Sequence, residues 1–154
     1  MRDFNETDRK KKNTRIRIQE NPGNLSKEVL LQLEDTVKAS LKDGYLPCPV
    51  AWKIAKEANV PKVTIGEITD RLGIRITNCQ IGCFRIEKTP YDNSAHKNTD
   101  GEIITMLETL KGNNKLTCAK VFDLARQFKL KPMVIANEAS VRDLKIHGCQ
   151  LGCF

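Results

Sequence analysis

The chain has 154 residues, of which 40% are hydrophobic, 29% charged and only 5% aromatic, with a net charge of +7. That length accommodates one ordinary domain or two minimal ones, with cores built mainly from Leu, Ile, Val and Ala. No apolar run approaches the roughly 18 residues of a membrane span, and Met1–Glu6 lacks the apolar stretch of a signal peptide, so a cytoplasmic protein with reduced cysteines is expected.

Residues 1–24 open the chain as a basic tail with the run Arg9-Lys10-Lys11-Lys12, expected to be disordered and solvated or to touch nucleic acid or an acidic protein. Residues 25–84, 85–99 and 100–154 carry net charges of only +1, +1 and +2. The spacing of Val29, Leu30, Leu33, Val37 and Leu41 predicts a helix over 26–43, with Ser26 as N-cap and Gly44 ending it. A second helix is expected at 49–58, with Pro49 in the first turn, and a third at 62–72. Ile74-Arg75-Ile76-Thr77 alternates as a short strand does. The polar stretch 85–99 reads as a linker. A similar apolar rhythm then resumes at Ile103, Ile104, Met106, Leu107 and Leu110, followed by helices at 119–128 and 132–143 and a strand-like Leu144-Lys145-Ile146-His147.

The second series repeats the first. Residues 46–84 align with 116–154 without a gap, at an offset of 70. Identical pairs include Leu46/Leu116, Cys48/Cys118, Ala55/Ala125, Ile65/Ile135, Cys79/Cys149, Gln80/Gln150, Gly82/Gly152, Cys83/Cys153 and Phe84/Phe154. Each copy ends in Cys-Gln-(Ile/Leu)-Gly-Cys-Phe, and all six cysteines are in register. We read this as an internal duplication giving two units, 25–84 and 100–154.

Within each unit, a small residue (Ala55, Ala125) precedes a turn at Asn59-Val60 or Lys129-Leu130, and apolar positions follow at Ile65 and Ile68 or at Ile135. Glu138 takes the last apolar position in the second copy. This pattern resembles the bihelical core of helix-turn-helix proteins, and with the preceding helix and following strand it is similar to a winged-helix domain. The cadence Cys-Gln-Leu-Gly-Cys-Phe resembles that of a small group of winged-helix-like proteins of anaerobes, to which no activity is attached. The implied fold is mainly α with short β segments, as two tandem winged-helix-like units. The chain ends at Phe154, before the returning strand of a full second wing. Helix-turn-helix proteins place the later helix in the major groove of double-stranded DNA. The positions that match are Lys62, Thr64 and Arg71 in the first unit, and Lys131, Asn137, Ser140 and Arg142 in the second. Tandem units would act as a pseudo-dimer. Glu67 and Asp70 on the same helix oppose phosphate contact.

The cysteines follow Cys-x30-Cys-x3-Cys in each copy: Cys48, Cys79 and Cys83, then Cys118, Cys149 and Cys153. Fully extended, sulfurs four residues apart would stand roughly 13 Å from each other, so a shared metal requires a turn, which Gly82 and Gly152 permit. Cys48 and Cys118 begin helices, where the dipole favours a thiolate. Three thiolates suit an iron–sulfur cluster or zinc with a further ligand. His147 is no shared ligand, because its counterpart is Thr77. Redox-active thiols and simple packing are the alternatives. No glycine-rich phosphate loop, paired carboxylates or Ser/His/Asp spacing points to an enzyme. Two functions remain: a DNA-binding regulator that senses metal or redox state through its thiolates, or a metal or iron–sulfur accessory module that contacts protein.

Overall fold

The computed structural model describes residues 19–83, 101–113 and 116–153. The basic run at 9–12, the linker 85–99 and both terminal phenylalanines of the repeats, Phe84 and Phe154, lie outside the described residues. The chain divides into two units, 1–77 and 78–154.

In the first unit a single 3-10 turn, Pro22–Asn24, precedes helix α1, Lys27–Ala39. Ser26 caps α1 by accepting from the Val29 N–H at 3.4 Å. The turn packs on the later helix α3, so residues 20–24 do not belong to the tail. The helix stops at Ala39 rather than continuing to 43. Asp43 and Gly44 both take positive φ, 52° and 79°, and Lys42 and Tyr45 exchange backbone hydrogen bonds of 2.8 and 2.9 Å across them. An Asp-Gly pair strongly favours such a two-residue turn, and it overrides the helical periodicity that Leu41 continues.

The turn feeds strand β1, Tyr45–Pro47, which the sequence reading missed. Helices α2, Cys48–Glu57, and α3, Lys62–Leu72, follow, and strand β2, Arg75–Thr77, pairs parallel to β1 with Leu46 opposite Ile76. Parallel pairing requires a crossover, here supplied by the helix pair α2–α3. Among the described residues no returning strand pairs with β2, so the antiparallel hairpin of a wing is not seen. Leu46, Ile54, Ile65 and Ile68 are buried, each contributing roughly 2 kcal/mol through removal from water.

The second unit contains α4, Gly101–Asn113, α5, Cys118–Gln127, and α6, Pro132–Val141. Its core joins Ile103 and Leu107 of α4 to Leu116, Val121, Leu124, Ile135, Ala139 and Leu144. Ile81 and Cys79, from the end of the first sequence copy, are part of this core.

Local geometry recurs at the offset of 70. Helices α2 and α5 start on the paired cysteines, and each buries a stripe: Cys48, Ala51, Ile54 and Ala55, or Cys118, Val121, Leu124 and Ala125. Both leave the helix through a left-handed residue, Asn59 or Lys129, each at φ 53°. The next N–H then reaches back to the small residue: Val60 to the Ala55 carbonyl at 3.0 Å, Leu130 to the Ala125 carbonyl at 2.8 Å. These bonds form the tight corner of each helix pair. The Leu46–Ile76 ladder has a reduced counterpart, a single parallel bridge between Thr117 and His147. Among the described residues no helix is long and apolar enough to cross a membrane.

Candidate thiolate centre

All six cysteines are free thiols. Cys48 belongs to the first unit and lies in the buried stripe of α2. The other five belong to the second unit, which sets the two Cys-x3-Cys segments and the first residue of α5 in one neighbourhood.

Each Cys-x3-Cys segment is a turn. The Gly82 N–H donates to the Cys79 carbonyl at 3.0 Å, and the Gly152 N–H to the Cys149 carbonyl at 2.9 Å. Gly82 and Gly152 sit at φ 75° and 73°, a region where a side chain would be strained. Between the cysteines, Ile81 and Leu151 are 3% and 2% exposed. The aliphatic residue thus anchors each loop in the core, and the glycine bends it so that its second cysteine, Cys83 or Cys153, emerges at the surface.

The sulfurs interact. Cys153 donates to the Cys149 sulfur, and backbone N–H groups of Cys153, Leu151 and Gly152 point at it as well. Together they draw Cys149 down from the ordinary 9.0 to about 6, against the upward push of partial burial. Cys83 moves the other way, to about 11. Desolvation by the surrounding protein leads, followed by the repulsion of Cys79 and a hydrogen bond to it, then by Cys118 and Cys149. Cys79, Cys118 and Cys149 all bear on Cys83, and Cys149 and Cys79 on Cys118, so these four sulfurs share one region.

Cys118 corrects an expectation. It stands at the first position of α5, whose N-cap Thr117 accepts from the Lys120 N–H at 3.2 Å. The helix dipole was expected to favour its thiolate, yet burial wins and pushes the thiol up, with hydrogen bonds from Gln150 opposing. The Gln150 side-chain amide stands 3.8 Å from the Cys118 sulfur. This role of the motif glutamine was missed in the sequence, although its identity in both copies was visible there. His147 is exposed, and its backbone joins Leu116 and Cys118; His96 lies outside the described residues. Among the described residues, no three His, Cys, Asp or Glu side chains are arranged to close on one metal ion. Cys83 and Cys153 are both exposed.

The matched DNA positions are scattered in character. Thr64 is 1% exposed and packs beneath Gly23, so it presents nothing to a groove. Arg71 pairs with buried Glu34 at 3.0 Å and donates to the Glu20 carbonyl. Arg142 pairs with buried Glu138. Both arginines serve the core, which the sequence spacing did not reveal. Lys62 lies over the Trp52 ring, 3.6 Å from its centre. Lys131 and Ser140 are exposed and Asn137 half-buried.

Comparison with known proteins finds no family model that matches the chain, no similar curated protein and no similar solved structure.

Proposed function

We propose that the chain is a thiolate-centred module that binds a metal ion or an iron–sulfur cluster in its second unit. One observation carries this: buried Cys79 and Cys118, from separate segments, share one core, and Gln150, beside Cys149 in the second Cys-x3-Cys loop, reaches the Cys118 sulfur at 3.8 Å. Soft thiolates select iron–sulfur clusters, zinc or copper(I). The backbone N–H groups around Cys149 favour its charged form, as loops that hold thiolate clusters do. Gln150 would steady Cys118 as a ligand, and Leu151 and Ile81 would hold the two loops in place.

Anaerobic purification, an absorption spectrum and metal analysis test the reading on the wild type and on Cys79→Ser/Cys149→Ser. A brown chromophore or stoichiometric zinc that disappears in the variant is expected. A folded protein without metal, which takes up none on reconstitution, overturns it.

A second reading adds double-stranded DNA as the partner, making the module a metal- or redox-sensing regulator. It is favoured by the two tight helical corners at Asn59 and Lys129 and by the exposure of Lys131, the N-cap of α6, and of Ser140 on that helix. Binding to duplex DNA that weakens steeply with salt is then expected, with Lys131→Ala reducing the slope. Salt-insensitive or absent binding leaves an accessory module whose helical units contact protein.

A further inference from the structure

The two Cys-x3-Cys loops share a backbone turn but differ in access. Cys79 is 4% exposed, so the first loop offers the solvent only Cys83. In the second loop Cys149 is half-buried and Cys153 exposed, and the two sulfurs are already in hydrogen-bonding contact. The Gly152 turn brings the ends of that loop together, so joining them orders very little additional chain.

We propose that Cys149 and Cys153 form a reversible dithiol–disulfide pair whose reaction partner is a small-molecule disulfide such as oxidised glutathione. The inference goes beyond the metal reading and needs no bound metal. In the first step the Cys149 thiolate attacks one sulfur of the small disulfide. A mixed disulfide forms, and one small thiolate leaves and takes a proton from water. Cys153 then gives its proton to water and attacks the Cys149 sulfur, and the second small thiol departs. Two protein thiols are oxidised to one disulfide, and one small disulfide is reduced to two thiols.

A competing thiol in the same unit is Cys118. It is buried in the α5 stripe with Gln150 over its sulfur, which shields it from an external disulfide. Cys83 is exposed, but its only partner within the loop is buried Cys79. Of the two loops, the second alone pairs an exposed cysteine with one that is not fully buried.

The test uses the full chain, reduced and freed of metal by a chelator, equilibrated anaerobically across a series of glutathione ratios. Remaining thiols are then blocked and the peptides mapped. The expected product is a Cys149–Cys153 link, with Cys79, Cys83 and Cys118 blocked as thiols. Cys153→Ser should instead retain one glutathione on Cys149, with a far-ultraviolet circular dichroism spectrum matching the wild type. Cys153→Ala, which removes the hydroxyl as well, should behave alike. A link from Cys149 to Cys118 or to Cys83, or a fully blocked set of thiols at every ratio, overturns the proposal. Because metal is removed beforehand, failure of the metal reading and failure of this one are separate results.

Discussion

Glu138 stands where the first unit has Ile68, and it is 5% exposed. An unpaired carboxylate at such depth would cost several kcal/mol; Arg142, one turn later, pairs with it and also donates to its backbone carbonyl at 3.0 Å. Removing Arg142 as Arg142→Ala should therefore lower stability by about 2 kcal/mol or more, read as a fall in the urea midpoint. Adding Glu138→Ile to that variant should restore most of the loss, and if it does not, the ion pair is not what Arg142 provides. The cysteines are tested at the same scale by pH. The folded protein holds Cys149 below its unfolded value of 9.0, so the thiolate's contribution to stability is complete above that pH and is lost as pH falls toward 6. For Cys83 the folded state favours the thiol. Its contribution is present below 9.0 and is lost as pH rises toward 11. Alkylation followed by peptide mapping should find Cys149 half-reactive near pH 6, while Cys83 stays slow until the solution is strongly alkaline. Equal pH profiles at the two sites would contradict the hydrogen-bonding asymmetry of the loops.

At the level of elements, the two helix corners are alike in backbone but unlike in composition. Asn59 tolerates the left-handed conformation, whereas Lys129 holds the same φ without a short polar side chain. Asp143 occupies the left-handed end of α6, where the first unit has Gly73. Lys129→Gly should raise stability by up to about 1 kcal/mol, seen as a higher urea midpoint at unchanged slope; a lower midpoint would show that Lys129 is held by something other than its backbone. Much of this layer was legible beforehand, because helical periodicity, Pro49 and the Ala55/Ala125 spacing state α2, α3, α5 and α6 within a residue or two. Strand β1 was not, since three residues ending in Pro47 carry no periodicity and acquire meaning only opposite Arg75–Thr77. The Asp43-Gly44 turn was legible in principle but was outvoted by Leu41. In the candidate site, the Cys-x3-Cys pairing and the glycine bends could be read from spacing. The balance between dipole and burial at Cys118, the core pairing of Arg71 and Arg142 and the burial of Thr64 depend on depth, which one sequence does not display.

Across the whole molecule, the boundary between units falls at Thr77/Asn78, several residues ahead of the boundary implied by the repeat. The first copy's Cys-Gln-Ile-Gly-Cys segment thus contributes to the second core. Ile81→Ala would leave a cavity in the core it shares with Leu107 and Leu116 and should cost about 3 kcal/mol. Hydrogen exchange should then quicken through α4–α6 while α1–α3 keep their protection. Faster exchange confined to α1–α3 would place Ile81 with the wrong unit.

The chain has one tryptophan, and Trp52 lies on α2 under the Lys62 ammonium. Excited at wavelengths tyrosine does not absorb, the protein therefore emits from its first unit alone. The five sulfurs of the second unit lie around no such reporter. A shift in that emission when Cys149 and Cys153 are oxidised would be the optical signal that a chemical event in one unit is felt in the other.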